Sequence, residues 1–265
     1  MAVAIVTTAH RVETARRLFL DRPEISRQLA LLDLQISGIY TAEDFFLTGD
    51  VSRLELDNPS ASSAAYAGDE VMTSHILLRE QFFRYDDAIK EFILAHELRH
   101  AWQRMVSPKW RQCSQERLRI ATFASWNRES RCQIFDMLSG PTEVDAECWT
   151  AQCYPAYYRT EVKQRINDQR TSVRDYVDAQ ASAFAALADL LPLLYKYSHA
   201  RYRKCMDSKL PKLLNTAMAE FLHFIEEKCH PAITRGELIR LMQAEEPAEF
   251  LRRAEVFIIG LRDRS

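Results

Sequence analysis

A chain of 265 residues, 47% hydrophobic and 27% charged, can bury a sizeable core, which excludes a disordered protein. Its formal net charge of −2 supplies no overall field for nucleic acid or an anionic membrane surface, so neither is an expected partner. With 6 Gly against 9 Pro, and the prolines mostly between helical runs, the composition predicts mainly helix and few tight hairpins.

The N-terminus, Met1 to His10, lacks the basic and long apolar segments of a secretory leader. No run approaches the ~18 apolar residues of a membrane span. The longest apolar stretch, Ala181 to Tyr195, is interrupted by Asp189 and Pro192. A cytoplasmic location is therefore expected. The cysteines are Cys113, Cys132, Cys148, Cys153, Cys205 and Cys229; none forms C-x-x-C, and several lie in apolar helical patterns. Free buried thiols in a reducing compartment are the expected state.

In chain order, residues 11–34 read as helix broken at Pro23, with Leu31, Leu32, Leu34 and Ile36 making apolar contacts. Gly38 introduces two short β-prone pieces, Ile39-Tyr40 and Phe45-Phe46-Leu47. Val51 to Leu56 alternates apolar and polar and predicts a strand, Asn58 to Ser63 a loop, and Ser74 to Arg79 another strand, with helix as the alternative for so short an apolar run. A helix opens at Asp86-Asp87, whose charges suit a helix N-terminus, and stops before Ser107-Pro108. Residues 112–137 read as helical, with Leu118, Ile120, Phe123 and Trp126 inward. Gly140-Pro141 breaks the pattern. Thr142 and Asp145 then have the spacing of a capping box opening a helix that runs to about Pro155. Glu161 to Arg174 is polar and marks a soft boundary. From Asp175 the pattern is helical, punctuated by Pro192, Pro211, Pro231 and Pro247, with a second capping box at Thr234/Glu237 and a stop at Gly260. The expected organisation is a domain over 1–165 and a helical region over 166–265 packed on it.

The chemistry is concentrated in His96-Glu97-Leu98-Arg99-His100, inside the helix that begins at Asp86-Asp87. Residues four apart on a helix share a face, so both imidazoles can reach one metal ion and Glu97 can act as general base toward a water activated there. Ile89, Phe92 and Ile93 form an apolar stripe that His96 and His100 continue, with Leu94, Leu98, Ala101 and Met105 beside it. The histidines are therefore expected to point inward. The competing reading is a pair of hydrogen-bonded core histidines. A catalytic zinc takes three protein ligands, so a third is needed. The acidic helix Glu143-Val-Asp-Ala-Glu147 is the best source, against the alternative of a solvated acidic first turn. Asp145 is turned by about 200° from Glu143 and suits the capping box better than the metal. For the oxyanion, Tyr154, Tyr157, Tyr158 and His199 are candidates by residue type alone. The basic residues Arg201, Arg203, Lys204, Lys209 and Lys212 read as a solvated face, and His223 as a core or boundary residue.

His96-Glu97-x-x-His100 followed, 43 residues after His100, by Glu143-x-x-Ala146-Glu147 resembles the gluzincin arrangement of zinc metallopeptidases. His100-Ala-Trp-Gln103 is also similar to bacterial metallopeptidases of unassigned substrate. The resemblance spans roughly residues 70–155. It implies an α+β, predominantly helical fold in which a small sheet packs on the HExxH helix, the zincin-like core, with a helical C-terminal half. It further implies a Zn2+ cofactor held by His96, His100 and Glu143, Glu97 as base, and peptide or protein substrates. Glu147, where aspartate is frequent in that arrangement, would hydrogen-bond the outer nitrogen of a histidine or serve as an alternative ligand. The strand before the motif helix would form the cleft wall on which an extended substrate adds. The rival from another class is a non-catalytic helical interaction protein with a vestigial or structural metal site.

Overall fold

The N-terminal run Ala-Val-Ala-Ile-Val-Thr offers β-branched side chains with no polar alternation, the pattern of a strand buried on both faces. It forms β1 (Ala2–Thr7), with Val3, Ile5, Val6 and Thr7 all fully buried. The strand is an addition to the elements that the sequence predicts. The computed structural model describes residues 1–46, 64–68, 74–155, 163, 166, 167, 170, 171, 183–205, 210–229 and 234–262. The expected strand at Val51 to Leu56 and loop at Asn58 to Ser63 lie outside them.

Among the described residues the chain divides into two compact units, Met1–Arg111 and Gln112–Ser265. The division expected at 165/166 falls inside the second. No described helix is long and apolar enough to cross a membrane. The architecture is α+β and predominantly helical.

In the first unit, β1, β2 (Gln35–Thr41), β3 (Ala64–Gly68) and β4 (Ser74–Leu78) form one sheet in the order β2-β1-β4-β3. β1 is parallel to both β2 and β4, and β3 is antiparallel to β4. The β1–β2 register slips between Val3 and Ala4, a bulge that absorbs Ser37 before Gly38. Helices α1 (Val12–Leu20) and α2 (Pro23–Leu31) make the crossover from β1 to β2, separated at Pro23 as expected. Leu32 and Leu34 are buried, whereas Leu31 is exposed. Phe45-Phe46 departs from the β expectation. Thr41 Oγ1 accepts from Asp44 N at 3.1 Å, a cap that turns the chain into a short helix, α3 (Ala42–Phe46). β4 is followed by α4 (Glu80–Phe83) and then by α5 (Asp87–Met105), the motif helix, which packs on β3, β4 and α2.

β4 sits between β1 and β3, so its backbone groups are paired on both sides. The expectation that this strand receives an extended substrate is therefore overturned: an interior strand has no edge to offer. Among the described strands the edge on that side is β3.

Among its described residues the second unit has helices and no strand. α6 (Pro108–Ala124), α7 (Arg128–Met137) and α8 (Gly140–Cys153) lead to α9 (Ala183–Ser198), α10 (Ala200–Cys205), α11 (Leu210–Cys229), α12 (Arg235–Met242) and α13 (Pro247–Arg262). α9 is the hub. α7, α8, α10, α11 and α12 all pack on it, and Leu187, Leu190, Leu191, Leu194, Tyr195 and Tyr197 are buried. Pro192 lies inside α9 instead of ending it; burial on several sides outweighs the one backbone hydrogen bond a proline forfeits. The buried Arg117 ties three helices, donating to Phe135 O at 2.8 Å and Thr142 Oγ1 at 3.4 Å from its place on α6.

Three expectations about this unit change. Ile120 is buried, but Phe123 and Trp126 are 62% and 56% exposed, because α6 ends at Ala124 and its buried face runs through Ile120, Ala121 and Ala124. His223 is exposed and pairs with Glu227 one turn on at 3.3 Å. Gly260 does not stop α13, which continues to Arg262 so that Leu261 can be buried. The Thr234/Glu237 capping box forms as expected.

Candidate metal centre

α5 begins where the sequence predicts, with Asp86 capping Ile89 N at 2.9 Å. Its first turns are tied to the crossover: Arg22, just ahead of α2, pairs with Asp87 and reaches Glu91 at 3.4 Å. Phe92, Leu94, Ala95, Leu98, Ala101 and Met105 are buried. That packing sets the rotation of the helix. His96 and Glu97 are 8% and 9% exposed, and His100 is half-buried. On the other side, Arg99 stacks over the Trp102 ring at 3.7 Å.

The two imidazoles converge. His96 Nε2 and His100 Nε2 are 3.0 Å apart, with the rings edge to face at an interplanar angle of 83°. Two ligands of a tetrahedral zinc with bonds of about 2.0–2.1 Å are separated by roughly 3.3 Å, so the pair already has close to the spacing one ion demands. His100 Nδ1 lies 2.9 Å from Gln103 Oε1, and Gln103 is 2% exposed. An amide oxygen only accepts, so Nδ1 carries the proton and His100 Nε2 presents its lone pair to the point where the rings meet. Sequence reading missed Gln103; its signal was an amide three residues after His100 on the same side of the helix.

α8 has no box at Thr142. The helix starts earlier, at Gly140, with Pro141 in its first turn, and Thr142 Oγ1 donates to Ser139 O at 2.6 Å. Gly140 is required by packing, since a Cβ there would meet Tyr195 Cδ1 at 2.8 Å. Asp145, expected as the box acid, instead accepts from Arg201 Nη1 at 3.1 Å. Glu147 accepts from Lys196 Nζ on α9 at 3.3 Å, both side chains being at most 5% exposed. Arg201 and Lys196 were not anticipated as partners. Lys196 stands inside an apolar helix with its ammonium also near the Tyr197 and Tyr202 rings. Arg203 donates to Tyr197 O at 2.7 Å and to Asn215. Two members of the supposed solvated basic face therefore hold the helices of this unit together.

His96, His100 and Glu143 form a group in which each residue offers a ligand atom within 4.8 Å of the others. Two imidazole nitrogens and one carboxylate oxygen are the donor set of a catalytic zinc. The residues suit the ion in kind, and the histidine pair is at ligand spacing. Of the oxyanion candidates, Tyr154 sits at the opposite end of α8 from Glu143, ~16 Å along the axis. His199 contacts Glu245 O at 3.1 Å and the Tyr195 ring, a packing role. Tyr157 and Tyr158 lie outside the described residues.

No protein-family model matches the chain, and no curated protein or solved structure matches it either.

Proposed function

We propose that the chain is a zinc-dependent metallopeptidase of the HExxH type with a zincin-like core, acting on peptide or protein substrates. The observation that carries the reading is the convergence of His96 Nε2 and His100 Nε2 at 3.0 Å on a buried helix, with Glu97 between them and Glu143 grouped with the pair. The sheet packed along α5 supports the core assignment. His96, His100 and Glu143 would hold the ion. Zinc bound there supplies a Lewis acid that polarises the scissile carbonyl and lowers the pKa of water toward neutrality. Glu97 takes the proton of the attacking water on a carboxylate oxygen and passes it to the leaving amide nitrogen. Its position beside His96 in a nearly water-free setting strengthens its electrostatic effect. Gln103, against His100 Nδ1, favours the tautomer whose Nε2 lone pair would face the ion. Substrate in extended form would add to the β3 edge, the described strand beside α5 that is not flanked on both sides.

The test pairs hydrolysis of an unstructured protein such as casein with metal content. Glu97→Gln keeps the metal and the fold and loses hydrolysis, because an amide cannot accept the proton. Cleavage by this variant at the wild-type rate would remove Glu97 from the role of base. Zinc retained with no hydrolysis by the wild-type protein of casein or of a degenerate peptide library would favour the non-catalytic rival.

A further inference from the structure

The second unit holds a pair of thiols that the metal site does not use. Cys148 is on α8 and buried, and Cys205 is the last residue of α10 and half-buried. The two helices pack together, and their register is fixed by the Arg201–Asp145 ion pair at 3.1 Å. From that anchor, three residues along α8 reach Cys148 and four along α10 reach Cys205. Each step returns to the face of its own helix that carries the ion pair, so both cysteines lie on the sides by which α8 and α10 are joined. The two thiols lie close enough to act on each other, and Arg201 lies close enough to act on both.

The two sulfurs are not equivalent. The hydrogen bond from Cys148, with help from the Arg201 charge and against the effect of partial burial, pulls the Cys205 thiol down to about 7. The same hydrogen bond and deeper burial push Cys148 up. The half-buried Cys205 is thus disposed toward the thiolate and the buried Cys148 toward the protonated thiol, the division between an attacking and a resolving cysteine.

We propose that Cys148 and Cys205 are a reversible dithiol–disulfide pair oxidised by hydroperoxides, with Cys205 attacking and Cys148 resolving. The Cys205 thiolate attacks one peroxide oxygen, the O–O bond breaks, and hydroxide leaves, giving Cys205 sulfenic acid. The Cys148 sulfur then attacks the Cys205 sulfur; the S–O bond breaks, and the Cys148 proton leaves with the hydroxyl as water. Two thiols lose two electrons and the peroxide is reduced to two waters. The product links α8 to α10, and a thiol reductant restores the pair.

The experiment uses the full-length, reduced protein. Treatment with hydrogen peroxide, alkylation of remaining thiols and non-reducing digestion should give a cross-linked peptide whose fragmentation assigns the bond to Cys148 and Cys205. Neither Cys132 nor Cys153, which share the Cys148 tryptic peptide, should be the partner. The intact mass should fall by two hydrogens and recover with dithiothreitol. Cys148→Ser, shown to fold by circular dichroism, should instead accumulate a Cys205 sulfenic acid trapped by dimedone, while Cys205→Ser should lose the cross-link. Absence of the bond in folded wild-type protein while exposed Cys132 is oxidised would overturn the proposal, as would a bond made by Cys132 or Cys153. Because the readout is covalent and does not depend on metal, failure of the zinc reading leaves this result unaffected.

Discussion

At the scale of single residues, the feature that distinguishes a metal site from a pair of core histidines is what stands behind the rings. His100 is pinned at Nδ1 by the buried Gln103 amide, and its Nε2 and that of His96 meet at 3.0 Å. Gln103→Ala should weaken zinc binding by about 10–100-fold without abolishing it, whereas Glu143→Ala, which removes a ligand, should cost more. Competition titration with a chromophoric chelator measures both. Equal affinities for wild type and Gln103→Ala would show that the amide does not orient the ring. This contact is local in sequence, three residues along one helix, and so are the Asp86 cap and the His96/His100 spacing; each was open to inspection in the chain or nearly so. What could not be read are the partners of the acidic helix. Asp145 meets Arg201 and Glu147 meets Lys196 across 56 and 49 residues, and no periodicity reports such a distance.

At the scale of elements, α8 is held by those two ion pairs and by the close approach of Gly140 to Tyr195. Lys196 and Glu147 are both buried, and a buried pair punishes the loss of one member more than the loss of both. Lys196→Met should destabilise the protein by about 3–5 kcal/mol, since it takes the cation away from a buried carboxylate, and adding Glu147→Leu should recover much of that loss. Chemical denaturation of the single and double variants checks this; an unchanged midpoint for Lys196→Met would mean the pair is structurally idle. The contact between α2 and α5 carries a pH signature. Burial, aided by the nearby Glu24 charge, holds the Glu91 carboxyl above its ordinary value despite the opposing Arg22 and Arg27 charges. A raised acid stabilises the fold least where it is ionised. The penalty is therefore present above the folded value and absent below the unfolded one, near 4.5. Glu91→Gln should accordingly raise Tm at neutral pH, and the gain should disappear as pH falls toward that limit. A gain that persists at low pH would assign the effect to packing instead of ionisation.

At the scale of the whole molecule, the helical spans, the Pro23 break and the strand at Ser74 were legible because helices and turns announce themselves by spacing and by proline. β1 was not, because a six-residue strand buried on both faces has no alternation to betray it. The interior position of β4 depends on β1 and β3, and pairing order is a property of the assembled sheet. Phe123 and Trp126 were misplaced for a related reason: apolar side chains mark a face, but where a helix ends decides whether that face is covered. Hydrolysis by this chain would depend on one ion. The direct measurement is zinc per chain by inductively coupled plasma mass spectrometry, on protein purified without chelators and again after zinc addition and desalting, for the wild type and for His96→Ala. Wild-type protein should carry about one zinc and the variant almost none. Wild-type protein that folds yet retains no zinc in either preparation would contradict the assignment.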